Sequence, residues 1–143
     1  EHRGELRSQI GERTGGEGRV GFCFDTCLAH AAGYDLSDRA AADSALDAFN
    51  AAAGLEHVRV LHLNDSVGEV GSKRDRHAHV GEGTIGGSTR ASTLAASGFA
   101  AVVCRREWAG VPMILETPKG ETEAGTAFDT LTVRRHRKIE EKG

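Results

Sequence analysis

Three residues in the stretch DRHAHVGEG, Asp75, His77 and His79, stand two apart, and each carries an atom able to bind a metal. Elsewhere Asp25, His62 and Glu116 each stand at the end of a run that reads as a strand. Imidazole nitrogen and carboxylate oxygen suit zinc or manganese. A mixture of Asp, Glu and His fits hydrolytic metal sites better than closed structural ones, which favour cysteine. The strand-end set supplies three ligands for one ion, and Asp75 with His77 supplies two for another. Ions a few ångströms apart suit phosphoryl chemistry, one activating the nucleophile and the others neutralising the phosphate and the leaving oxygen. Arg76, between two loop residues of the set, is placed to pair with a phosphate oxygen. Each of these residues also has an ordinary reading. Asp25 suits a helix N-cap. His62 suits a core histidine with a hydrogen-bond partner, Glu116 an exposed strand terminus near Pro118, and 75–79 a solvated loop.

The elements that must position them alternate between strand and helix. RVGFCFD reads as a strand in which Val20, Phe22 and Phe24 alternate with smaller residues and Asp25 closes the run. LSDRAAADSALDAFNAAAG reads as a helix, with Ser37 or Asp38 as cap and Gly54 as terminator. HVRVLHLND is a second strand, with Val58, Val60 and His62 on one face. A glycine-bearing loop runs from Ser66 to Gly87, and VPMILET, Val111 to Thr117, is a third strand. Gly86 to Glu107 should hold a helix between the second and third strands, although its periodicity is poor. A charged helical tail follows, strongly basic from Arg134 to Lys138. Before all of this, Leu6 and Ile10 mark an opening helix, and Thr14 to Gly18 a glycine-rich turn.

Such alternation predicts a parallel α/β sheet. In those folds ligands gather at the carboxyl ends of strands. Neighbouring strands lie roughly 5 Å apart, so three adjacent strand-end side chains can converge on one ion.

With 143 residues, the chain has the length of one domain with a real core, and with 5% aromatic residues that core is mostly aliphatic. A net charge of −3 gives no overall basic signature of nucleic-acid binding, although a local patch suffices for it. No apolar run reaches the length of a membrane span. Cys23, Cys27 and Cys104 are an odd number without a paired motif, the pattern of reduced thiols in a cytoplasmic protein. The chain lacks an initiator methionine and opens inside a helical pattern, like a piece of something longer.

Four blocks, GFCFDTCLAHAAGYD, VLHLNDS, GSKRDRHAHVGEGTIG and PMILETPKG, resemble in sequence and order the deoxyribonuclease IV family of apurinic/apyrimidinic endonucleases. The resemblance runs from about Glu1 to Gly120. It implies a (β/α)8 barrel with up to three zinc ions at the carboxyl ends of its strands. It also implies double-stranded DNA containing abasic sites as substrate, incised 5′ to the lesion to leave a 3′-hydroxyl. Carried over by position, Asp25, His62 and Glu116 match ligands of one deeply placed zinc, and Asp75 and His77 match two ligands of the third. His79 falls just past that pair and reads as a loop residue.

Two departures stand out. Leu28 occupies the position of the remaining ligand of the third zinc, and a leucine cannot coordinate. His30, two residues on, is rotated by roughly 200° on a helix and should not replace it, so the third site is expected to be weakened or empty. A (β/α)8 barrel needs roughly 250 residues, so this chain matches about three βα units, the carboxyl-terminal part of a single xylose-isomerase-like barrel domain. The alternatives to an active nuclease are an inactive remnant that self-associates through open sheet edges, and a metal-dependent sugar isomerase or epimerase of similar barrel type.

Overall fold

Strand β1 (Phe22–Asp25) runs straight into helix α1 (Thr26–Ala32), and Asp25 is the hinge between them. Its side chain caps the helix by accepting from the Leu28 N–H at 3.0 Å. The computed structural model describes residues 20–87 and 93–140. The opening helix expected around Leu6 and Ile10 and the turn from Thr14 to Gly18 lie outside the described residues.

Helix α2 (Arg39–Ala53) starts at Asp38, whose carboxylate accepts from the Ala41 N–H at 2.8 Å, and stops at Gly54, which takes a left-handed φ of 78°. Ala42, Leu46 and Phe49 form its buried stripe at helical spacing. The chain then turns through Leu55–His57 into β2 (Val58–His62). The Trp108 indole N–H donates to the Leu55 carbonyl at 3.1 Å, fixing that turn to the core.

Beyond β2, the segment read as loop carries a two-stranded antiparallel ladder: β3 (Asp65–Ser66) against β4 (His77–Ala78). Helix α3 (Gly98–Val103) is buried all round, so its sequence shows no apolar stripe, which accounts for the poor periodicity. It packs between α2 and α4 (Phe128–Glu140), and a side chain at Gly98 would collide with the Leu36 backbone. The third parallel strand, β5, is only Met113–Ile114, much shorter than the expected 111–117. The Leu63 N–H donates to the Ile114 carbonyl at 2.9 Å; the next donor on the third strand, the Glu116 N–H, goes instead to the Asn64 side chain at 2.9 Å. A side chain thus takes over where the ladder stops.

The strand order β1-β2-β5 is parallel throughout, with Asp25 in register with His62 and His62 with Ile114. Phe24 and Leu61 face the helices, in a core with Leu46, Phe49, Phe99 and Trp108. The opposite face is open: Cys23 is exposed and Ile114 is 45% exposed. Among the described residues neither outer edge of the three-stranded sheet is paired. No helix among them is long and apolar enough to cross a membrane.

One buried group makes this core sensitive to acid. His136 on α4 packs edge-on against Phe99, with centroids 5.3 Å apart. Neither of its ring nitrogens has a hydrogen-bond partner among the described residues. Burial lowers its pKa from 6.5 to about 4. The unfolded chain therefore binds a proton that the folded chain refuses between those two values. Stability is whole above pH 6.5 and falls as pH drops toward 4. At 1.36 kcal/mol per pKa unit the loss is about 3 kcal/mol. Urea unfolding between pH 7 and pH 4 is expected to show this slope, and His136→Phe is expected to flatten that part of it. An unchanged slope in the variant would show that His136 is not the titrating group.

Candidate metal centre

Because Asp25 and His62 are in register on adjacent parallel strands, their side chains leave the same face of the sheet. His62 Nδ1 lies 3.4 Å from Asp25 Oδ2 and 2.9 Å from Glu116 Oε2. Glu116, two residues beyond Ile114, returns to that face by strand alternation. The two readings of Asp25 therefore coexist: Oδ1 caps α1 and Oδ2 faces the histidine.

Asn64, fully buried one residue past Leu63, brackets the group. Its side-chain NH₂ donates to Asp25 Oδ2 at 2.9 Å and its side-chain Oδ1 accepts from the Glu116 N–H at 2.9 Å. Thr26 ties the same strand ends together, donating to the Asn64 carbonyl at 2.6 Å and accepting from its N–H at 2.9 Å.

The loop pair reaches the same place from above. His77 Nδ1 is 3.0 Å from the Glu116 carbonyl, an oxygen that can only accept, so Nδ1 carries the proton. In the neutral ring Nε2 then holds a lone pair, 3.2 Å from Asp75 Oδ1. Asp25, His77 and Glu116 each offer a ligand atom within 4.8 Å of the others, and so do Cys27, Asp75 and His77. Lone pairs of imidazole and carboxylate held face to face are stable only with a cation between them, a proton or a metal. The donor set fits a divalent ion of borderline softness.

Asp75, Arg76, His77, Glu116 and Pro118 line an open depression, with the Arg76 side chain exposed. His79 turns away from it, its ring 4.3 Å from that of Phe128. His30 is fully buried, and its Nδ1 accepts from the Leu36 N–H at 3.2 Å. Burial lowers its pKa. It is a core histidine, and Leu28 beside it is 45% exposed.

Asp65 holds the loop that carries His77. It is completely buried, and its carboxylate accepts from the N–H groups of Ser66, Gly81, Gly83, Ile85 and Gly86. Successive amides wrapped round an anion form a nest. A methyl on Gly83 would stand 2.5 Å from Asp65 Oδ1, so the glycine allows the backbone to close on the carboxylate. The glycines after His79 thus serve the anchoring of the loop. Sequence reasoning misses Asn64 and Asp65. The signal available is a polar pair directly after an apolar strand and ahead of a glycine-rich loop.

Three parallel strands with ligand-bearing residues at their carboxyl ends, backed by helices, define part of a β/α barrel. The chain belongs to the xylose isomerase-like TIM barrel family, whose model matches residues 8–133. Within that family its relatives carry endonuclease names. It is 48% identical over 106 residues to "Probable endonuclease 4" of Cenarchaeum symbiosum (strain A), covering 73% of this chain and 34% of that protein. It is 40% identical over 103 residues to the "Apurinic-apyrimidinic endonuclease" of Caenorhabditis elegans, covering 72% of this chain and 24% of the relative. The crystal structure of endonuclease IV from Thermus thermophilus matches with a TM-score of 0.65 and 37% identity, over 85% of this chain and 39% of that one. The chain thus spans well under half the length of these proteins.

Proposed function

We propose that this chain carries part of the metal centre of a zinc-dependent abasic-site endonuclease, which hydrolyses the phosphodiester 5′ to the lesion and leaves a 3′-hydroxyl. The observation that carries this reading is the meeting of Asp25, His62 and Glu116 at the carboxyl ends of three adjacent parallel strands. In this reading Asp25 Oδ2, His62 Nδ1 and the Glu116 carboxylate hold one zinc, and Asp75 and His77 hold another. Zinc, when bound, supplies Lewis acidity toward the phosphodiester and acidifies water. Asn64 fixes the Asp25 carboxylate and the backbone N–H of Glu116, and the Glu116 carbonyl fixes the tautomer of His77. Arg76, at the lip of the depression, meets a phosphate oxygen of double-stranded DNA. An abasic sugar is swung out more easily than a paired base, which favours the lesion as substrate. We place the protein in the cytoplasm, in keeping with three free cysteines.

Taken alone, the chain is proposed to be inactive and to self-associate, because among the described residues its site face and sheet edges are open. The sugar isomerase reading has only the family description in its favour, whereas the endonuclease names of the relatives favour the nuclease. A chimera tests both proposals: residues 20–140 replace the matching part of Thermus endonuclease IV. The chimera is expected to be monomeric and, with zinc, to incise an abasic duplex, leaving an end that a polymerase extends. His62→Ala in the chimera should abolish incision. A folded, zinc-loaded chimera without incision, beside an active parent, would refute the nuclease assignment.

A further inference from the structure

Helix α1 presents one ligand atom to the loop pair that the sequence reading passes over. Cys27 lies in its first turn and is fully buried. Its thiol donates to the Arg76 carbonyl, with the sulfur 3.5 Å from that oxygen, so the side chain points at the backbone between Asp75 and His77. Sγ of Cys27 and one ligand atom each from Asp75 and His77 lie within 4.8 Å of one another. Leu28, the next residue, is aliphatic and partly exposed, and His30 is committed to the core through Leu36.

We propose that Cys27 is the third protein ligand of the loop metal site, giving a thiolate, carboxylate and imidazole set in place of a site crippled by Leu28. The inference rests on the metal reading above and adds a ligand to it. A tetrahedral zinc with bonds of about 2.3 Å to sulfur and about 2.0 Å to nitrogen or oxygen brings its ligands roughly 3.3–3.6 Å apart. Closing from the present spacing shortens these separations by up to about 1.5 Å by that measure. Asp75, with a side chain 60% exposed, has room to supply the movement. His77 already points Nε2 toward Asp75, because its Nδ1 is held by the Glu116 carbonyl. A thiolate in the set selects thiophilic ions such as zinc, cobalt and cadmium over magnesium or manganese. The loop site of this chain therefore differs in metal preference from the strand-end site, which offers only oxygen and nitrogen.

Cobalt is the probe. The intact chain loaded with Co²⁺ is expected to show a near-ultraviolet thiolate-to-cobalt charge-transfer band. Cys27→Ser should remove the band, and Cys23→Ser, the control for the exposed thiol near Asp25, should leave it. His62→Ala should lower cobalt stoichiometry at the strand-end site and leave the band in place. Should Cys27→Ser fail to fold, zinc-edge X-ray absorption of the unmutated chain replaces it, and a sulfur shell at about 2.3 Å is expected. Bound cobalt without a thiolate band, or zinc without a sulfur shell, would overturn the Cys27 inference and leave the strand-end site standing. A band lost in Cys23→Ser would move the thiolate to Cys23, and failure to bind cobalt at all would sink both readings.

Discussion

Replacing His62 by alanine is expected to weaken zinc binding at the strand ends by more than about 100-fold, because loss of an outer hydrogen-bond partner alone commonly costs 10–100-fold. His62 is the nitrogen ligand between two carboxylates, 3.4 Å from one and 2.9 Å from the other. Without it, Asp25 and Glu116 form an all-oxygen pair, which suits magnesium or calcium better than zinc. Alanine here is a cleaner probe than a change at Asp25, whose other oxygen caps α1 and whose loss adds a cost of about 0.5–2 kcal/mol to folding. Competition against a chromophoric chelator measures the affinity directly. A variant that holds zinc as tightly as the parent would remove His62 from the site.

The second large effect is structural. Asp65→Ala is expected to cost about 4 kcal/mol or more, a size reserved for a few mechanisms, of which a broken buried polar network is one. Five backbone N–H groups converge on this carboxylate, and hydrogen bonds to charged groups contribute about 1.5–3 kcal/mol each, although they do not simply add. Alanine would strand those donors in a closed pocket. Asp65→Asn keeps the shape but turns an NH₂ toward N–H groups, so it is expected to be damaging as well. Urea unfolding gives the loss, and amide exchange at Gly81, Gly83 and Gly86 localises it. Unfolding within about 1 kcal/mol of the parent would be the surface-substitution result and would contradict the anchoring role.

How much of this is legible in the sequence varies by element. Parallel strands with polar ends can be read from apolar runs closed by Asp25, His62 and Glu116; the shift in register between Phe22 and Cys23, which takes Val58 into the core with Leu61, cannot. The capping of α2 by Asp38 and its stop at Gly54 also follow from local chemistry. The length of β5 does not, because Asn64, distant in sequence, takes over the Glu116 N–H. The β3–β4 ladder hides in a loop whose glycines suggest only freedom, whereas they close on a buried carboxylate. Cys27 escapes notice because in sequence a cysteine is matched against other cysteines, while its neighbours in space are Asp75 and His77. What sequence cannot show, in each case, is which backbone group a polar side chain will meet.

The most direct test of the metal centre is anomalous diffraction from crystals of the zinc-loaded chain, with data on both sides of the zinc absorption edge. A zinc peak is expected at about 2.0–2.2 Å from Asp25 Oδ2, His62 Nδ1 and a Glu116 carboxylate oxygen. A fully zinc-loaded crystal whose peaks all lie elsewhere, with those three side chains bonded only to one another, would contradict it.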